Sequence, residues 1–202
     1  MTLDQFRHVA DRLLDPFVSL STKLGVTPDA ISALAFVVAA AAGGAYYLAG
    51  DAALWYFAGA VLVGLNGWLD ILDGAVAREM GTDSKAGDLL DHVLDRYADI
   101  VMVAGLAAGL DRYGLGLAAV TGVLMTSYLG TQSQAVGLDR VYGGMLGRAD
   151  RLALIGIVTG VAAFVDVAAL GFGLVGWLLV VFAVVGHVTA LQRFWGAWRA
   201  LS

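Results

Sequence analysis

Six stretches of about twenty mostly apolar residues, near 30–49, 53–72, 90–110, 114–135, 152–171 and 173–191, set the limits on what this chain can fold into. A helix crosses the hydrocarbon core of a bilayer with about 20 residues. In that core each segment must satisfy its own backbone polar groups, so runs of this kind become helices. Composition agrees, with 59% of residues hydrophobic, only 14% charged and a mean hydropathy of +0.79. A soluble domain carries roughly a quarter charged residues. The expected fold is all-α, a polytopic membrane protein with six transmembrane helices over 27–202 as one domain, preceded by a surface unit at 1–26.

The basic residues orient the spans. Arg7, Arg12 and Lys23 precede the first, Arg78, Lys85 and Arg96 sit at or just inside the link between the second and third, Arg140, Arg148 and Arg151 lie between the fourth and fifth, and Arg193 and Arg199 follow the sixth. Only Arg112 falls in a loop of the opposite parity, so eleven of the twelve lie on one side. The positive-inside bias makes that side cytoplasmic, with both termini on it. The expected location is thus a cell membrane, crossed several times, with the charged links facing the cytoplasm.

The first 26 residues read differently. Leu3, Phe6, Val9, Ala10, Leu13, Leu14, Phe17 and Val18 recur at helical spacing between charges, which predicts an amphipathic helix lying in the membrane surface. Pro16 is expected to kink or end it. Pro28 suits the first turn of the first span, with Thr27 as its cap. The mixed-polar start has no apolar core after a basic tip and is not expected to be a cleavable signal peptide. The chain has no Cys, which removes disulfides and thiolate metal sites. Seventeen acids against twelve bases, nearly all of the acids Asp, with only two lysines, resemble proteins of salt-adapted archaea.

The chemistry concentrates between the second and third spans. Asp70 and Asp73 are three residues apart, Asp91 and Asp95 four apart, and on helices each pair shares one face. A short link lets the two pairs face each other at one membrane depth. Four carboxylates there are costly unless paired or metal-bound. Hard divalent cations such as Mg²⁺ or Mn²⁺ favour carboxylate oxygens, and this set suits one or two of them. Gly74 and Gly87 allow a nucleotide or a second backbone to approach closely. Arg78 can pair with phosphate oxygens, as a diphosphate donor would require.

The string Asp70-x2-Asp73-Gly74-x2-Ala77-Arg78-x8-Gly87-x3-Asp91-x3-Asp95 resembles the signature of the CDP-alcohol phosphotransferase (CDP-alcohol phosphatidyltransferase) family, with all eight fixed residues filled over 26 positions. The six spans, the surface helix and the length match that family over the whole chain. The resemblance implies an archaeal phospholipid synthase that transfers a phospho-lipid group from a CDP-linked lipid to an acceptor hydroxyl and releases CMP, as a homodimer. It implies metal binding by Asp70, Asp73, Asp91 and Asp95, with Asp95 also as general base towards the acceptor hydroxyl. It implies contacts to the CDP part of the donor from Gly74, Arg78, Ser84 and Gly87, and from Pro28, Asp29 and Ser32 at the start of the first span. The last three are equally well explained by helix capping.

Arg148 and Arg151, three apart at the start of the fifth span, share a helix face and could grip a phosphate on the acceptor, with Arg140 as a further candidate. That favours a phosphorylated polyol, inositol phosphate or glycerol phosphate, over serine or another free alcohol. Gly130 and Gln132 stand where relatives that use inositol phosphate carry basic residues, which counts against inositol phosphate. A salt-adapted archaeal source would make the donor CDP-archaeol rather than CDP-diacylglycerol. Asp99 and Asp88 read as surface or interhelical pairing, His92 as structural, and Trp68 as helix packing. Trp55, Trp177, Trp195 and Trp198 fall near span ends, as an interfacial belt predicts. A cation transporter would also place carboxylates in the membrane, but it does not account for the Gly and Arg positions.

Overall fold

The computed structural model of the protein describes residues 4–82, 84–139 and 146–202, with side chains from residue 14 onward. Among the described residues the chain forms α1 (Asp4–Leu24), α2 (Pro28–Leu48), α3 (Leu54–Met80), α4 (Lys85–Gly109), α5 (Tyr113–Ala135), α6 (Arg148–Ala162) and α7 (Leu174–Leu201). A two-residue antiparallel ribbon separates the last two helices, β1 (Ala168–Ala169) with β2 (Phe172–Gly173), Ala168 opposite Gly173. The all-helical expectation is met.

The helices close a ring. α3 packs on α2, α2 on α4, α4 on α5, α5 on α7, α7 on α6, and α6 back on α3, so α4 and α6 stand opposite one another. Lipid offers apolar side chains as good a home as a partner helix does, so close packing and buried hydrogen bonds hold such a ring together. Small residues at the crossings make this possible. A Cβ on Gly105 of α4 would lie 2.2 Å from the Gly43 carbonyl oxygen of α2, and one on Gly186 of α7 would lie 2.7 Å from the Gly122 backbone of α5. Tyr46, Met102, Leu106, Leu179 and Phe182 fill the core, and the Tyr46 hydroxyl pairs with Thr159 of α6 at 3.1 Å. The outward faces keep exposed apolar side chains such as Val37, Val61, Leu117 and Val184, as lipid contact requires.

All six ring helices run between the same two ends. At one end the starts of α2, α4 and α6 meet the last turns of α3. At the other, Gly50 after α2 lies against Gly109 at the end of α4, and the Arg112 guanidinium sits 5.5 Å from the Phe172 ring in β2.

Four of the helices, α2, α3, α5 and α7, are long and apolar enough to cross a membrane by length and composition. The two remaining expected spans differ for identifiable reasons. α4 carries Asp88, Asp91, Asp95, Arg96 and Asp99 in its first half, and these five charged residues lower its hydropathy. α6 has 15 residues, about 22 Å at 1.5 Å each. The expected stretch 152–171 therefore leaves the helix at Ala162 and ends in the ribbon, where Leu170 is exposed.

α1 packs on α3 as an amphipathic helix should. Leu14 is buried with Ile31, Leu69, Leu72 and Val76, and Phe17 meets Trp68 edge to face at 4.8 Å, the packing role expected of that Trp. Pro16 neither ends nor divides the helix, which continues to Leu24. Thr27 caps α2 by accepting from the Ala30 N–H at 3.3 Å, with Pro28 in the first turn.

Candidate active site

The link between α3 and α4 is built to bring two helix ends together. Gly81 closes α3 in the left-handed region, at φ 61°, where a residue without Cβ is at ease. Ser84 opens α4, its hydroxyl accepting from the Gly87 N–H at 3.0 Å. The Asp70–Asp73 face of α3 and the Asp91–Asp95 face of α4 come within electrostatic reach of one another.

A cavity of about 500 Å³ opens between these ends and the start of α2, lined by Pro28, Asp29, Ser32, Asp73, Gly74, Ala77, Thr82, Ser84, Lys85, Gly87, Asp88 and Asp91. Six of the seven residues expected to meet the donor line it, and so do two of the four aspartates. Pro28, Asp29, Ser32 and Ser84, which lie at the starts of α2 and α4, also form walls of the cavity. Gly87 keeps the space open: a Cβ there would stand 3.2 Å from Ser84 Oγ and 3.3 Å from Asp29 Oδ1. Arg78 is the exception. It is not among the lining residues, and its Nη1 would lie 3.3 Å from a Cβ on Gly74, so the guanidinium folds back over that glycine at the cavity edge. Lys85, Thr82 and Asp88 also line the cavity. Sequence reasoning did not assign them to it, although their places beside Ser84 and Gly87 are the signal.

The carboxylates are held individually. The Ser32 hydroxyl donates to Asp73 Oδ2 at 2.6 Å in a buried contact. Arg148, from the first turn of α6, bridges the two helices, with Nη1 on Asp70 and Nη2 2.7 Å from Asp95 Oδ1. Asp91 lies within electrostatic reach of Asp70, Asp73 and Asp95. Behind Asp95 the charges continue inward. Arg96 is 3.6 Å from Asp95 and 3.8 Å from Asp99, and Arg151 Nη2 donates to Asp99 Oδ2 at 2.6 Å. Asp99 is thus an interhelical partner, as its sequence position suggested. His92 Nδ1 is 2.7 Å from the Asp88 carbonyl oxygen. Arg140 lies outside the described residues.

Among the described residues, no three acidic or histidine side chains converge in metal-ligating geometry. The donor set still fits a hard divalent cation. Four carboxylates from two facing helix ends supply only oxygen, and a cationic guanidinium takes the position between Asp70 and Asp95. Asp70, Asp73, Asp91 and Asp95 are the residues that would hold such an ion, once Arg148 yields its place.

Comparison with known proteins gives a consistent picture. The chain is 33% identical to an archaetidylinositol phosphate synthase of Methanothermobacter thermautotrophicus, over 98% of this chain and 95% of that protein. It is 35% identical to a phosphatidylinositol phosphate synthase of Mycolicibacterium smegmatis, over 90% of this chain and 82% of the other. The fold superposes on the crystal structure of Mycobacterium tuberculosis phosphatidylinositol phosphate synthase with CDP-DAG bound, with a TM-score of 0.79, 28% identity, and coverage of 93% and 94% of the two chains. A crystal structure of the same enzyme in complex with manganese and citrate matches equally well, at a TM-score of 0.79 and 28% identity over 92% and 88%. The family model described as CDP-alcohol phosphatidyltransferase matches residues 25–189, from the end of α1 to the middle of α7 and across the whole acidic site, and the chain belongs to that family.

Proposed function

We propose that this membrane transferase moves a phospho-lipid group from a CDP-linked lipid to the hydroxyl of a phosphorylated polyol, inositol phosphate foremost, and releases CMP. The observation that carries the reading is the junction of a nucleotide-sized cavity with a paired-acid site. The cavity walls hold Asp73 and Asp91, and Asp70 and Asp95 lie just beyond under a single guanidinium. The archaeal and mycobacterial relatives named above are inositol phosphate synthases by name, which supports that acceptor over glycerol phosphate. Gly130, whose position counted against inositol phosphate, is buried within α5.

The donor's cytidine diphosphate enters between the starts of α2 and α4, against Pro28, Asp29, Ser32, Gly74, Ser84 and Gly87, with Arg78 at the rim. Asp70, Asp73, Asp91 and Asp95 would hold a divalent cation, which would supply positive charge against the donor's diphosphate. Asp95 accepts the proton of the acceptor hydroxyl, which it can do only when ionised and within hydrogen-bond reach. The hydroxyl oxygen bonds to the β-phosphorus as the bond from that phosphorus to the CMP oxygen breaks. Arg148 meets the phosphate of the acceptor, and Arg151 stands behind it in its buried pair with Asp99. The present contacts of Arg148 with Asp70 and Asp95 mean that it exchanges partners when substrates arrive.

All six ring helices are proposed to cross the membrane, as one domain with α1 on the surface, because α4 and α6 run between the same two ends as the four apolar helices. The acidic site and both termini are placed on the cytoplasmic side by the distribution of Lys and Arg. Asp-rich, Lys-poor composition favours archaeol as the lipid of the donor, and a homodimer is the proposed assembly.

The test is CMP release by the purified protein in detergent with CDP-archaeol or CDP-diacylglycerol, Mg²⁺ or Mn²⁺, and a panel of acceptors. Release should need the metal, stop with chelator, favour a phosphorylated polyol, and fall at least about 100-fold in Asp95→Asn, the lower end of what a general base contributes. Metal-independent release, or an Asp95→Asn variant as fast as the parent, would refute the proposed chemistry.

A further inference from the structure

Asp99 lies outside the signature string and does not line the cavity, and yet is a charged residue buried to 2% exposure. Its partner Arg151 is buried to 3%, and their contact is 2.6 Å. A buried ion pair is expensive to desolvate, and well-packed apolar residues often serve stability as well or better. Its placement shows what it gives in return. Asp99 follows Asp95 by one turn of α4, and Arg151 follows Arg148 by nearly one turn of α6. The two contacts, Asp95–Arg148 at 2.7 Å and Asp99–Arg151 at 2.6 Å, are therefore successive rungs between helices that stand opposite each other in the ring.

The rungs are unequal. Asp95 and Arg148 retain 14% and 20% side-chain exposure, while the inner pair retains 2% and 4%. α4 packs beside α2 and α5, and α6 beside α3 and α7, so side chains that cross the interior set the distance between the acidic face of α4 and the first turn of α6. On the transfer reading given above, the outer rung has to open, because Asp95 must meet a hydroxyl and Arg148 a phosphate. The inner rung does not. Arg96, 3.6 Å from Asp95 and 3.8 Å from Asp99, ties the two rungs together on the α4 side.

We infer that Asp99 is a positioning residue for the acceptor: through its buried pair with Arg151 it holds the first turn of α6 in place, so that Arg148 stays within reach of the acceptor's phosphate when it leaves Asp95. The inference rests on the proposed phosphorylated acceptor and adds a residue to that site. Asp99 makes no part of the donor cavity, so its effect falls on one substrate. A residue that merely stabilised the fold would weaken both.

The experiment measures kcat and KM for inositol phosphate and for the CDP-lipid in the parent and in Asp99→Asn, together with the rise in melting temperature on adding CDP-lipid. Asp99→Asn should raise the acceptor KM about tenfold, the usual lower range for losing an orienting partner behind a binding group. The donor KM and the CDP-lipid-induced thermal shift should stay at parental values. An acceptor KM within about twofold of the parent, or a parallel loss in both KM values and the thermal shift, overturns the positioning role. Should the Asn variant fail to fold, Asp99→Glu keeps the charge but displaces Arg151 by a methylene. A raised acceptor KM there supports the role, and an unchanged one overturns it. A parent enzyme that releases CMP only with an unphosphorylated alcohol refutes the acceptor reading and this role with it. Parental turnover of inositol phosphate with an unmoved Asp99→Asn refutes the role alone.

Discussion

At the scale of single residues, one group repeatedly serves both the backbone and the site. Ser84 caps α4 and lines the donor cavity, and Ser32 sits one turn into α2 while donating to Asp73 at 2.6 Å. A hydrogen bond to a buried carboxylate contributes about 1.5–3 kcal/mol and fixes where its oxygens point. Gly87 leaves room where a side chain would press on Ser84 and Asp29. Gly87→Leu should therefore fill the cavity from the α4 side, pressing on Ser84 and Asp29. The expected outcome is a CDP-lipid KM raised about tenfold or more, or about 1.4 kcal/mol, with the acceptor KM and the melting temperature near parental values. Equal donor KM values for the two proteins would show that the nucleotide binds elsewhere. These residues were marked in the sequence by the resemblance to the family's signature, beyond what spacing alone assigns. The partner of each acid was not. That Arg148 bridges Asp70 and Asp95, 78 and 53 positions away in sequence, follows from the ring closing α6 onto α3.

Among the elements, glycine-mediated crossings set the geometry that the site inherits. α2 and α4 approach until a Cβ on Gly105 would sit 2.2 Å from a backbone oxygen, and backbone cannot yield as the end of a flexible side chain does. Gly105→Leu should force the helices apart, at a cost at or above the roughly 1–3 kcal/mol of ordinary overpacking. It should lower the melting temperature in detergent and misplace Asp29 relative to Gly87. A variant as stable as the parent would mean that the two helices do not cross at this point in the membrane. Periodicity and turn chemistry gave α2, α5 and the starts of α3 and α7 closely, while α3 runs on to Met80. They misjudged α6, whose apolar run continues past Ala162 although the chain turns into the ribbon there. Apolar composition reports a medium that accepts the residues, not a hydrogen-bond pattern, so it cannot mark where a helix stops within that medium. Pro16 was overweighted for a related reason, because α1 is supported by its packing on α3 and continues through it.

For the whole molecule, the number of helices that cross follows from α4 and α6. Four are apolar enough by themselves, and the six-span reading depends on α4 and α6 joining them. The Cys-free chain allows a direct test, because a single introduced cysteine is the only thiol present. Tyr113 is exposed at the start of α5, and Ser202 follows α7. Ser202→Cys should react with a membrane-impermeant maleimide only from the cytoplasmic side in oriented vesicles, and Tyr113→Cys only from the opposite side. If α4 does not cross, both will label from the same side, since α3 would then return the chain to the cytoplasm with no further crossing before Tyr113.

The sequence by itself determined the medium, the helical class, the orienting charge bias and the reaction family. Each of these depends on local composition or on spacing along one helix. Hydropathy, the Lys and Arg distribution, and the register of Asp70, Asp73, Gly74, Arg78, Gly87, Asp91 and Asp95 can all be read without knowing any long-range contact. Only the tertiary structure decided which elements complete the site. It brought the start of α2 into the cavity wall, placed Arg148 over two of the four aspartates, and buried Asp99 with Arg151 in the interior of the ring. Those pairings join residues dozens of positions apart. They depend on which glycine-lined faces can approach and on which charges need a partner away from water, and neither is written in the spacing of any one segment.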